Sequence, residues 1–284
     1  MSIVRTNGRG TTQVLGNTAK WVVLIFFFTF TFIPLLWLLI SSFKTNLELQ
    51  LKPFAMPEIW QFANYANAMK ISGLPRLFLN SIIVSTVSTG LTMIVTSMAG
   101  FVFSRERFPF RQGLLNLILA GVLVPIIALM APYFRLTNSL GIYDSLWALI
   151  FTYTAINIPI STFLLYGFMR TLPRELEEAA IMDGTGFVGR YWRIILPLTK
   201  PGMVTAGTFV FLFSWNEFIY AMLLTSRPAV RTLQLGIRFF TSQFFTDYTS
   251  MFAAIVLTML PTIVIYIVLH EQIIKGMTSG ALKG

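Results

Sequence analysis

Long apolar runs separated by short polar stretches set the pattern of this chain. The first, WVVLIFFFTFTFIPLLWLLISSF, covers roughly 21–43. Others cover roughly 77–103, 113–134, 146–169, 201–224 and 250–270. Each is near the ~20 residues a helix needs to cross a hydrocarbon layer. None has the ten-residue alternation of a membrane barrel strand. The pattern predicts an all-α polytopic membrane protein with six transmembrane helices, forming one transmembrane domain over residues 1–284.

The polar intervals differ from one another. The first twenty residues are polar and basic, and the run after them is too long for a signal-peptide core and lacks a small-residue cleavage site, so it reads as a retained first span. A proline-containing segment fills 44–75, and a loop fills 225–249. The second span carries many small residues (Ser81, Ser85, Ser88, Gly90, Ala99, Gly100), which let helix backbones approach closely, so it is expected inside a bundle. Pro34, Pro125, Pro159 and Pro261 lie within spans. They are either the prolines that membrane helices ordinarily tolerate or bends that let helices rock around a pathway.

Composition agrees with the pattern. The 284 residues are 55% hydrophobic and 11% charged, where soluble domains run near 45–50% apolar and about 25% charged. There is no cysteine, so disulfides and thiolate metal sites are excluded. The net charge of +10 does not point to nucleic acid, because the basic residues are scattered in short loops. Of 21 Lys and Arg, 13 fall in the N-terminus, the 104–112 loop, the 170–200 segment and the tail. Such an excess marks the cytoplasmic side, so both termini and the 170–200 segment are expected there. Arg105, Arg107 and Arg111 read as anchors to anionic lipid.

One interval is unusually polar and broken: EEAAIMDGTGFVGRYWRIILP, residues 177–197. Thr171 and Pro173 suit the start of a short helix. Glu175, Glu177 and Glu178 then lie at its positive end. Gly184 can supply the left-handed conformation that stops it. A second amphipathic piece is expected over Val188 to Leu196, ended by Pro197 and Pro201. Small Ala179 and Ala180 would let the first helix lie against another body, or the whole segment could lie along the membrane interface.

The spacing Glu178-Ala179-Ala180, Gly184, Ile194, Leu196-Pro197 resembles the EAA motif of ABC importer permeases at every fixed position. Arg76 to Ser81 (RLFLNS), Ser214 to Phe218 (SWNEF) and the tail from Lys275 to Gly284 resemble the corresponding parts of MalG-like carbohydrate permeases, so the likeness covers nearly the whole chain. It implies an inner-membrane permease subunit of a bacterial or archaeal cell, working with a second, homologous permease. It implies two copies of an ATPase docked on the coupling segment 170–200, with Glu178, Ala179, Ala180, Asp183, Gly184, Ile194, Leu196 and Pro197 in the coupling region. It further implies an extracytoplasmic solute-binding protein and a sugar substrate, a di- or oligosaccharide. ATP and magnesium would sit on the ATPase partners, and this chain would bind no cofactor itself. The glycines of the tail 271–284 would leave it mobile alone, but the resemblance implies that Lys275, Gly276, Gly280 and Lys283 contact the ATPase.

Other candidate chemistry is sparse. The sequence has no G-x-x-x-x-G-K-[ST] phosphate loop. Glu217 is the one acid within a span. It is expected to line the solute path, to brace the helices together with Asn216, or to contact a binding protein near the outer mouth. Trp215, Phe218 and Tyr220 beside it can stack on a sugar or simply pack. His270, the one histidine, reads as a boundary residue rather than a ligand. Three other readings remain at this level: an importer of glycerol-phosphate type, a non-transport membrane scaffold, and a transporter driven by an ion gradient, which would need more intramembrane ionisable groups than Glu217.

Overall fold

The computed structural model describes residues 9–71, 73–236 and 247–281. Every regular element among them is helical. Helix α1 is Arg9–Ser41, α2 Asn46–Leu51, α3 Ala63–Ile71 and α4 Leu74–Arg105. Helices α5 (Arg111–Leu123) and α6 (Ile126–Ser139) meet at 100°. Helix α7 is Leu146–Thr171 and α8 Glu175–Met182. Helices α9 (Phe187–Leu198) and α10 (Lys200–Asn216) meet at 74°. Short α11 (Ile219–Leu224) and α12 (Leu233–Gly236) follow, and α13 is Tyr248–Ala281. Among the described residues four helices (α1, α4, α7 and α13) are long and apolar enough to cross a bilayer unaided, and six spans result when each bent pair counts as one.

Four boundaries differ from those expected, the first being α1, which starts at Arg9, well before the apolar run at 21. The third run breaks at Val124-Pro125, where Val124 is extended with ψ 122°, because the residue before a proline is pushed out of the helical region. Pro34, Pro159 and Pro261 instead lie inside helices that continue past them. The fifth run is two helices, since Glu217 is extended (ψ 127°) and ends α10 at Asn216. The sixth stays helical to Ala281, beyond the expected end at 270.

The described residues fall into two compact units, Met1–Ala68 with Ser242–Val256 and Met69–Thr241 with Leu257–Gly284. In the first, the segment after α1 is tied down by polar groups. Lys44 is fully buried, and its Nζ donates to the Lys52 and Pro53 carbonyls at 2.8 and 3.1 Å.

The second unit is built on α4 against α7. Gly100 of α4 brings the backbones together: a Cβ placed there would lie 3.3 Å from Leu165 Cβ, from Met169 Sδ and from the Tyr166 nitrogen. Ser81, Ser85, Ser88 and Gly100 are buried, as the small-residue pattern predicts, whereas Gly90 is exposed. Helix α10 packs through Ala206 and Val210 on Met93 and Leu165. The interior is rich in hydroxyls, and most turn inward on their own helix. Thr89, Thr92 and Thr96 donate to the carbonyls of Ser85, Ser88 and Thr92. Thr154, Thr205 and Thr208 do likewise with Ile150, Pro201 and Val204. Ser88 and Ser214 make a bond between helices at 3.1 Å.

Candidate functional site

The segment joining α7 to α10 folds locally as its residues dictate, with one change. Thr171 does not cap α8, since its Oγ1 donates to Phe168 O within α7. Helix α8 begins two residues after Pro173 and has Glu175, Glu177 and Glu178 in its first turn, where the partial positive charge of the helix end favours them. It stops at Gly184, whose φ is +78°. There Gly184 N–H donates to Ile181 O and Thr185 N–H to Ala180 O, at 2.9 and 2.8 Å, the paired bonds that close a helix through a left-handed glycine. Helix α9 follows and widens into a π-helical stretch over Arg190–Ile195, a form found mostly as local insertions at functional sites.

The motif residues divide by direction. Glu178, Ala179, Asp183, Gly184 and Pro197 are exposed, Ala180 is buried, and Ile194 and Leu196 are half-buried. Ile194 and Leu196 pack against the core formed by Phe101, Met169, Tyr191 and Ile195. Tyr191 OH also shares a 2.7 Å hydrogen bond with Ser97 of α4. Outward from the same segment stand apolar side chains, with Met182 87% and Trp192 59% exposed.

Beneath this face lies a charge cluster that the sequence reading did not assemble. Arg105, expected as a lipid anchor, is buried instead. Its Nε lies 2.8 Å from Glu177 Oε1, with the two side chains 3% and 7% exposed. A second guanidinium nitrogen of Arg105 donates to the Met169 and Leu172 carbonyls at the end of α7, at 2.7 and 3.0 Å. Arg190 of α9 lies 2.8 Å from Glu106 and 3.5 Å from Glu177. Burial pushes the Glu177 carboxyl up from the usual carboxylate range, against the opposing pull of Arg105 and Arg190. The available signal was the pairing of acids and arginines in two neighbouring polar intervals. Arg107 is exposed, and Arg111 donates to Glu106 O at 3.2 Å.

At the other end of α7 the loops are fastened differently. Asp144, in the left-handed region with φ 57°, accepts from the Ser226 and Arg227 backbone N–H groups at 2.7 and 3.0 Å and from Arg227 Nε at 2.7 Å. Burial alone would push the Asp144 carboxyl up, but these donors and the Arg227 charge outweigh it and hold it below its usual range. Asn80 Nδ2 donates to Ala229 O and Arg231 O, and Ser81 Oγ accepts from Leu233 N. The RLFLNS stretch is thus the support for the 229–233 segment.

Glu217 sits at the break between α10 and α11. Its Oε1 accepts from Tyr220 N at 2.8 Å, and its Oε2 from Ala221 N at 3.0 Å and Tyr153 OH at 2.7 Å. The carboxylate therefore caps α11 and joins it to α7. Asn216 Nδ2 donates to Leu212 O. Trp215 is buried, with Nε1 donating to Thr258 O and its ring stacked on Phe211. A cavity of about 620 Å³ is lined by Pro125, Ile126, Phe213, Asn216, Glu217 and Tyr220 among others. Lys275, Gly276 and Gly280 lie along the α13 backbone, but the Lys275 side chain, like the whole of Lys283, lies outside the described residues. His270 Nδ1 bonds Ile267 O within its own helix. Among the described residues no group of three His, Asp or Glu is placed to hold a metal.

Comparison with known proteins gives the fold and segment a family. The family described as "Binding-protein-dependent transport system inner membrane component" matches residues 94–279. The chain is 32% identical over 285 residues to the sulfoquinovosyl glycerol transport system permease protein SmoH of Agrobacterium fabrum, covering 100% of both chains. It is 34% identical to the diacetylchitobiose uptake system permease protein NgcG of Streptomyces coelicolor, covering 92% of this chain and 87% of that one. A solved bacterial ABC transporter that imports the acidic polysaccharide alginate has a chain of the same fold, with TM-score 0.82 and 20% identity, covering 94% of this chain and 99% of that one. The match over residues 94–279 runs from α4 through the charge cluster and the α8–α9 turn into α13, and the chain belongs to the family of binding-protein-dependent transport system inner membrane components.

Proposed function

We propose that the chain is one of two permease subunits of an ABC importer for a di- or oligosaccharide, with both termini and the 170–200 segment in the cytoplasm. A second, homologous permease completes the path, two ATPase copies dock on the coupling segments, and an extracytoplasmic binding protein delivers the solute. One observation carries this reading. The α8–α9 segment turns an acidic and apolar face outward while its other side is fixed to the ends of α4 and α7 by buried charges. A segment built this way can receive a push from a neighbour and pass it to the bundle. The ATPase partners would hold ATP and magnesium. Closing of their dimer would drive the bundle between two packings, one open inward and one outward.

The sugar class rests on SmoH and NgcG, whose names specify a glycosyl glycerol and a chitobiose derivative. For Glu217 the bracing role is favoured, because both carboxylate oxygens are already committed to Tyr153 and the start of α11. Trp215 is packing rather than a sugar platform, being buried against Phe78 and Phe211.

The test is uptake in proteoliposomes holding the full complex. Glu178→Lys and Gly184→Trp are expected to insert and to abolish uptake, since both change the exposed face; a side chain at Gly184 meets nothing within 4 Å but must hold φ +78°, so Glu178→Lys is the variant free of backbone strain. Unchanged uptake by both variants would remove the docking role. Uptake that persists without ATP while an ion gradient is held would replace the reading with a secondary transporter.

A further inference from the structure

Helix α8 is eight residues long, and its buried side chains are those of Glu177 and Ala180. An alanine offers little apolar surface, so hydrophobic burial does not hold this helix in place. Charged groups do, and two of them, Arg105 and Glu177, lie where charge is expensive to keep. Arg105 is the last residue of α4. From there its guanidinium reaches Glu177 of α8 with one nitrogen and two carbonyls at the end of α7 with another. Arg190 stands between Glu177 and Glu106 and belongs to α9, which leads through the 74° bend into α10. Four charged groups therefore join α8 to the ends of α4, α7 and α9. The Arg105–Glu177 contact is a close charge pair without hydrogen-bond alignment, whereas Arg105 is aligned on the two α7 carbonyls and Arg190 on Glu106, and a planar guanidinium holds such partners at fixed angles. Slippage of α8 on the bundle would leave at least one buried charge unpaired.

Resting on the transport function proposed above, we infer that Arg105, Glu177, Arg190 and Glu106 are positioning residues for coupling: together they form a stiff joint that converts displacement of α8 into joint movement of α4, α7 and α10. The exposed motif residues receive the force. The buried ion pairs, one residue to the N-terminal side of the motif glutamate and one helix away, deliver it.

A stiff joint and a merely stabilising ion cluster differ in one measurable quantity, the number of ATP molecules hydrolysed per solute moved. Loss of stability lowers hydrolysis and transport together and leaves that ratio alone. A loosened joint lets the ATPases turn over while the bundle lags. The experiment uses the complete complex in proteoliposomes and measures both rates for wild type, Glu177→Gln, Arg190→Lys and Glu58→Gln. Glu177→Gln keeps the shape and removes the charge. Arg190→Lys keeps the charge and removes the fork that spans two glutamates, at a site exposed enough to tolerate the change. ATP per solute is expected to rise about tenfold for Glu177→Gln, the size typical of coupling between sites. A smaller rise is expected for Arg190→Lys, and none for Glu58→Gln, which loses an exposed ion pair with Lys52 outside this segment. A wild-type ratio in Glu177→Gln and Arg190→Lys overturns the inference, whether the two rates stay normal or fall in step. If Glu177→Gln does not assemble, Arg190→Lys decides alone. Failure of the wild-type complex to move solute on ATP would instead overturn the function on which the joint rests.

Discussion

Glu177 and Glu178 adjoin in sequence and differ completely in surroundings. Glu178 is exposed, while Glu177 is buried between two arginines. Glu177→Ala leaves those arginines without their shared carboxylate, and breaking a buried pair in this way costs about 3–5 kcal/mol. Glu178→Ala should stay within about 0.5 kcal/mol, as surface changes do. Thermal unfolding of the detergent-solubilised protein checks both. Gly184→Ala introduces no clash but must hold φ near +78°, which costs roughly 1–2 kcal/mol; Gly184→Asn should lose less in the same melt. Asp144 gives a pH dependence. Its carboxyl is held below the usual aspartate range, so the Asp144–Arg227 contact contributes stability above about pH 4 that is lost as pH falls through the depressed value. Protease cutting near 226–232 should stay slow at pH 5 and rise only in stronger acid, and Asp144→Asn should show fast cutting at every pH. The motif glutamate was legible in the sequence because its spacing is characteristic. Glu177 was not, because a carboxylate on a short polar helix reads as surface until its arginine partners are located in space.

Among the elements, helix positions followed from apolar run length, and helix interruptions did not. Val124 before Pro125 was a visible signal for a break, yet a bend of 100° depends on what the two halves pack against. The break at Glu217 falls on the polar pair Asn216-Glu217, but two polar residues in an apolar run that continues through α11 do not by themselves mark where a helix ends. Its cause is a carboxylate used as a helix cap. Glu217→Ala should strand the buried Tyr153 hydroxyl and two N–H groups at the start of α11, for a loss of roughly 2 kcal/mol. Tyr153→Phe, which removes both members of one contact, should lose less, and paired thermal melts would show the difference. Close packing of α4 on α7 is equally specific. Gly100→Leu must push away Leu165, Tyr166 and Met169 at once, so overpacking should lower stability by about 1–3 kcal/mol or more, with Gly90→Leu, at an exposed position, serving as the control.

For the whole molecule, the distribution of Lys and Arg sets the expected orientation. Because the chain has no cysteine, single labels report it cleanly. Met182→Cys should react with a membrane-impermeant thiol reagent only from the cytoplasmic side, and Ser226→Cys only from the outside. The reverse pattern would invert the orientation and overturn the proposed docking of ATPases on the 170–200 segment. The interior threonines carry a further consequence. Because Thr92 and Thr208 donate to carbonyls of their own helices, those hydroxyls are spent locally, while Ser88 and Thr154 reach across to the next helix. Under the proposed transport cycle, a change of packing in the middle of the bundle would break crossing bonds such as these, while the local ones persist through the stroke.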